Sequence, residues 1–115
     1  MDILSLAVIF SGISFLFFGV TCLTTRYMKS EFTRYGYDRQ RPLTGVLQIL
    51  GGAGVLLGYY FSPLLAMLAT IGLTLMMMVG VGVRIKIGDT VIQTIPAFTY
   101  VVVNAYIAYR FAQML

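Results

Sequence analysis

Three side chains set in long apolar stretches could do chemistry: Gln48, Arg84 and Asn104. Gln48 and Asn104 are primary amides. In hydrocarbon a polar group needs a partner, because leaving it buried and unpaired costs about 1–3 kcal/mol. Both amides should therefore face the interior of a bundle, where two readings are open. One is an interhelical hydrogen bond, worth roughly 0.6 kcal/mol and at most about 2 in a membrane. The other is recognition of a polar group on a ligand. Arg84 ends an apolar stretch. Either its guanidinium snorkels to lipid headgroups, or it pairs with Asp89 or Asp38 at the mouth of a cavity. Ser11, Ser14, Thr21, Cys22, Thr24, Thr70, Thr74, Thr94 and Thr99 are weaker polar groups in the same stretches.

What the chain lacks narrows the chemistry further. There is no histidine, so the commonest general base and metal ligand is missing, and with it the usual haem ligand. Cys22 is the one cysteine, which excludes an intrachain disulfide and a CxxC redox pair. All four carboxylates lie outside the apolar stretches, so a proton-coupled exporter would lack its membrane-embedded acid. Met76, Met77 and Met78 read as adaptable packing rather than a metal site. No catalytic set, cofactor site or metal site emerges, and the expectation is a protein that is not an enzyme.

The elements that would position these residues follow from composition. Hydrophobic residues make up 59% of the 115, charged residues 10%, and the mean hydropathy is +0.90. A soluble domain carries about 25% charged residues. A chain this short cannot bury so much apolar surface in its own core. The excess must face lipid, in one membrane domain covering residues 1–115. About 20 apolar residues cross the hydrocarbon as a helix, and charge-free runs of that order occur at about 3–25, 43–61, 63–83 and 91–109. The first is too long, and lacks the basic start, for a signal peptide. The fold expected is an all-α, four-transmembrane-helix bundle built from two helical hairpins.

Glycines pattern these spans. Ser5, Gly12 and Gly19 recur every seven residues on one face, and Gly51, Gly54 and Gly58 recur in the second span. Small residues let helix backbones approach closely in a membrane. Pro42, and Ser62 followed by Pro63, mark helix starts, and Thr90 with Gln93 fits a capping box. Pro96 falls early in the fourth span, where it can kink the helix.

The connection 26–42 mixes charges with aromatic rings: Arg26, Lys29, Phe32, Arg34, Tyr35, Tyr37, Arg39 and Arg41. Rings of this kind settle at the membrane–water boundary. The segment reads as a short interfacial helix, with Ser30 as its cap and Gly36 at its end, or as a surface for a protein partner. This connection and Arg84–Asp89 hold seven of the eight basic residues. Placed between apolar runs, they point to anionic headgroups, not nucleic acid. The positive-inside rule puts both connections in the cytoplasm and both termini outside, as in a bacterial inner membrane.

From Phe32 to Gly58 the chain resembles the DoxX-like family of small four-helix membrane proteins. The residues that carry the resemblance are Phe32, Gly36, Tyr37, Gly45, Leu47, Ile49, Leu50, Gly51, Gly54, Leu56 and Leu57. Phe17, Phe18, Gly19, Gly72, Leu73, Met76 to Met78, Gly80, the RIKIGD turn and Pro96 extend it over most of the chain. The family pattern often has Glu where this chain has Gln48, and often His near Arg84. The resemblance implies a fold and an association with membrane oxidoreductases, a thiosulfate–quinone oxidoreductase among them, or with receptor assembly. It also brings a quinone into consideration.

Three functions follow. The first is a non-catalytic membrane subunit or assembly scaffold that docks a membrane or cytoplasmic partner. The second binds a small hydrophobic molecule, a quinone or lipid, in a pocket near Gln48, Arg84 and Asn104. The third is a small homo-oligomeric pore or exporter. A binder predicts a polar-tipped cavity, a subunit predicts none, and a pore predicts Ser and Thr facing a water-filled axis.

Overall fold

Short capping signals divide the chain into helices, and apolar composition then forces those helices together. The computed structural model describes residues 2–115. Helix α1 spans Ile3–Thr24, α2 Arg26–Tyr35, α3 Arg41–Phe61, α4 Pro63–Lys86 and α5 Val91–Met114. A single 3₁₀ turn, Asp38–Gln40, lies between α2 and α3. All but α2 are long and apolar enough to cross a membrane. No strand occurs among the described residues. The long helices pack chiefly as the pairs α1–α3 and α4–α5, with α3 also lying along α4. The fold is therefore the all-α bundle of two hairpins.

Each junction has a local cause. Asp2 accepts from the Ser5 amide at 2.8 Å and starts α1. Ser62 accepts from the Leu65 amide, with Pro63 following at the first turn of α4. Thr90 and Gln93 cap each other reciprocally at the start of α5. Gly36 and Gly88 take the left-handed conformation, φ 84° and 80°, that ends a helix at little steric cost. The cap of α2 differs from the expectation at Ser30. Thr25 fills that role, accepting from the Met28 amide at 3.3 Å. Its extended backbone breaks the chain for one residue after α1, and α2 then gains a full first turn.

Close approaches join the spans. A Cβ added at Gly19 would lie 2.7 Å from the Gly45 carbonyl, and one at Gly52 would lie 2.7 Å from the Gly12 carbonyl. Gly58 backs onto the Ala66 backbone, where an added Cβ would meet the nitrogen at 2.4 Å. Gly12 and Gly51 instead receive the side chains of Leu56 and Leu73, and Gly54 faces Ala69. Gly45 and Gly52 thus belong to the close-packing set with the glycines the periodicity singled out.

The core is asymmetric along the bundle. Leu4, Val8, Phe15, Val55, Ala66, Leu73, Ile107 and Phe111 form one buried cluster. It fills the half that holds the chain termini and the α3–α4 turn. At that end Ser5 and Tyr59 hydrogen-bond through their hydroxyls. Towards the opposite end, where α1 joins α2 and α4 joins α5, the solid core gives way to open space.

Candidate functional site

The open space is a cavity of about 550 Å³. Its roof is α2. Met28, Phe32 and Tyr35 recur at i, i+4 and i+7, so they share one helix face, and all three line the cavity. The walls are Phe18 and Cys22 of α1, Leu43, Thr44 and Gln48 of α3, Met76, Met77, Val83 and Arg84 of α4, and Pro96, Ala97 and Tyr100 of α5. Room exists partly because α4 presents Gly80, beside which an added Cβ would meet nothing within 4 Å. Tyr100 closes the α1–α5 side. Its ring stacks on Phe10 at 5.4 Å and meets Phe15 and Phe18 edge-on at 5.3 Å each.

Gln48 is the polar point deep in this wall. It is seven residues into α3, about 10 Å below the helix start at the α-helical rise. The residue is 7% exposed, and its Oε1 is buried with no hydrogen-bond partner. Asn104 has the opposite environment. It is wholly buried, accepts from Ser11 Oγ at 2.7 Å and donates to the Tyr100 carbonyl at 2.9 Å. The structure brings Gln48 and Arg84 to one cavity and leaves Asn104 in the solid core, joining α5 to α1.

The mouth carries an ion cluster. Arg34 meets Asp89 with both terminal nitrogens, at 2.6 and 3.2 Å, and meets Glu31 at 2.7 Å. Arg84 meets the same Asp89 at 3.1 Å. The Asp89 side chain is only 5% exposed beneath the two guanidiniums. Both guanidiniums also lie over the Tyr35 ring, 5.2 and 5.5 Å from its centre, and the Tyr35 hydroxyl donates to Glu31. Hydrogen bonds from Arg34 hold the Asp89 and Glu31 carboxyls below their ordinary values. Burial pushes the Tyr35 phenol up to about 12. Arg34 and Arg84 are balanced by Glu31 and Asp89, so the cluster is neutral overall. It ties α2 to the α4–α5 turn across 55 residues of sequence.

The remaining basic residues divide. Arg26, Lys29, Arg39 and Lys86 make no ion pair among the described residues, and all are exposed. Arg41 instead donates to the Cys22 and Leu23 carbonyls at 3.0 and 3.3 Å, closing the last turn of α1. Cys22 Sγ donates in turn to the Arg41 carbonyl at 3.5 Å. Among the described residues no group of His, Cys, Asp and Glu could hold a metal ion.

Sequence reasoning did not foresee that Phe32 and Tyr35 roof a cavity, nor that Tyr100, Ala97 and Gly80 shape it. The i, i+4, i+7 stripe of α2 was the available signal. The wall residues of α4 and α5 left none, since each is an ordinary residue of an apolar helix. A second hollow, of about 410 Å³, lies between α3 and α4. Its lining is Leu, Gly, Ala and Met alone, so it holds no polar side chain.

Comparison with known proteins gives one result. The family model described as the DoxX-like family matches residues 3–107. No curated protein and no solved structure matches the chain.

Proposed function

The chain belongs to the DoxX-like family, and from that premise we propose that it binds a small, mainly apolar molecule in the cavity beneath α2. The observation that carries this reading is the buried, unpartnered Oε1 of Gln48 in the wall of a largely apolar cavity. Ligand sites are typically concave and apolar with a few placed polar groups, at about 300–1,000 Å³. This cavity fits that description, and a lipid or quinone is the class of occupant its walls suit. Arg84, of the charged cluster, is the one charged side chain in its lining.

The subunit reading has its own support. Arg26, Lys29, Arg39 and Lys86 are unpaired at one end of the bundle, where an acidic partner or anionic headgroups would meet them. A pore has the least support, because the buried hydroxyls of Ser11 and Thr70 bond inward, to Asn104 and to the Ala66 carbonyl.

Orientation belongs to the same proposal. Both basic connections lie at one end of the bundle, joined by the Arg34–Asp89 pair, and the positive-inside rule assigns that end to the cytoplasm. The binding test is lipid extraction and native mass spectrometry of the purified protein against Gln48→Leu. A co-purified apolar molecule that is lost from the variant is expected. Equal retention by the two proteins would remove Gln48 from the site.

A further inference from the structure

We propose that the occupant of this cavity is a single-chain amphiphile with a carboxylate head, held by Arg84. The inference rests on the binding reading above and specifies its ligand. Two separate observations lead to it.

The first is which donors the lining leaves unspent. Arg34 alone bonds both carboxylates of the ion cluster, twice to Glu31 and twice to Asp89. Arg84 adds one bond, from Nη1 to Asp89. A guanidinium has five N–H groups in a planar fork, so most of those of Arg84 stay unspent. It is also the one charged side chain in the cavity lining, and 26% of it is exposed. Gln48, on α3, supplies a second donor. Its Oε1 is sealed in the wall, while its Nε2 keeps access to the cavity and has no partner among the described residues. The reverse placement of the amide would seal two unpaired N–H groups in place of one oxygen, at a higher cost. The Cα–Cβ bond of Gln48 tilts towards the start of its helix, and α3 starts at the mouth. Both donors thus serve the head end of an occupant, and an acceptor is what they lack.

The second observation is charge. Residues 26–42 and 84–89 carry seven basic side chains against three acidic ones, an excess of four at this end of the bundle. Among the described residues no carboxylate lines the cavity. An anion at the mouth meets a favourable field. Beside the partly exposed Arg84 it also keeps part of its hydration and escapes the cost of full burial. One guanidinium matches one negative charge. A phosphate monoester carries about −1.5 to −2, too much to set beside Asp89, whose side chain is buried. A carboxylate carries a single charge and can pair with an arginine edge through two parallel bonds. The apolar and aromatic lining, Phe18, Phe32, Met76, Met77 and Tyr100 among it, receives the chain.

The test uses the full chain in zwitterionic-lipid nanodiscs at pH 8 with four probes: dodecanoate, methyl dodecanoate, dodecylamine and dodecyl phosphate. Retention is read by native mass spectrometry against protein-free nanodiscs. Dodecanoate should be held on the order of tenfold more tightly than its methyl ester, the gain of a charge-assisted hydrogen bond over a neutral one. It should also be held more tightly than the amine or the phosphate. Arg84→Met should abolish the preference and leave ester retention unchanged, and Arg84→Lys should restore part of it. Equal retention of the probes, preference for another of them, or a preference that survives Arg84→Met overturns the carboxylate assignment and leaves the binding reading standing. Retention of none overturns both. The comparison of probes on the unaltered chain decides the matter even if a variant folds poorly.

Discussion

At the residue scale the two buried amides differ in what surrounds them, and the difference predicts opposite responses to substitution. Asn104 is satisfied at both ends of its amide, by Ser11 and by the Tyr100 carbonyl. Asn104→Leu should destabilise the bundle by about 1–2 kcal/mol, because Ser11 loses its partner and the packing changes. Gln48 carries an unpaired acceptor. Gln48→Met removes it at similar side-chain length, so stability should be unchanged or higher by up to about 1 kcal/mol, with ligand retention lower. Unfolding in mixed micelles measures both. A destabilised Gln48→Met would show that the amide has a structural partner. The gain in stability with loss of retention is the usual mark of a site kept for binding.

At the element scale the helices have two kinds of glycine and one cover, α2. Gly19 and Gly58 sit where an added methyl would strike backbone atoms at 2.7 and 2.4 Å. Backbone cannot step aside as a leucine tip can, so Gly19→Ala and Gly58→Ala should each cost about 1–3 kcal/mol. Gly72→Ala and Gly82→Ala meet nothing within 4 Å and should be neutral or mildly stabilising. Thermal denaturation of the four variants ranks them. Helix α2 has no fully buried residue and is tied to the far turn through Asp89. Asp89→Asn should therefore speed amide hydrogen exchange over Arg26–Tyr35 and leave the α1–α3 interface unchanged. High salt should act in the same direction on the unaltered chain, since these charges are partly exposed. Unchanged exchange in the variant would mean that the apolar face alone holds α2. The pH response has a definite sign. Asp89 and Glu31 have lowered folded values, so their contribution is complete above their unfolded values and fades as pH falls through the folded ones. The tie should hold from about pH 5 upward. Tyr35 is shifted up from 10.0 to about 12. Its contribution is complete below the ordinary value and is lost as pH rises towards the folded one.

At the scale of the whole molecule, one end is solid and the other is hollow. The solid half joins all four spans through a single buried cluster, which leaves the loop half free to keep a cavity without loss of the fold. The same end carries the unpaired basic residues. In the proposed orientation, ligand exchange and any protein contact would both occur at the cytoplasmic face. Reporter fusions at the two termini check this, with an extracytoplasmic signal expected from each. A cytoplasmic signal from either terminus would reverse the orientation.

Sequence alone determined the membrane class, the four long helices and the caps that start the last two of them. Those features depend on local quantities: charge-free length, the capping hydroxyl of Ser62, the Thr90–Gln93 box, and the glycine that ends α2 at position 36. It also singled out Gln48, Arg84 and Asn104, because a polar group in an apolar run is conspicuous without any fold. Only the tertiary structure decided which of them share a cavity. Asn104 and Gln48 are the same functional group in similar runs. What separates them is Ser11, 93 residues from Asn104, and the absence of such a partner opposite Gln48. Long-range pairings of that kind, like Arg34 with Asp89, depend on how helices rotate and cross. Periodicity within one helix does not encode that geometry.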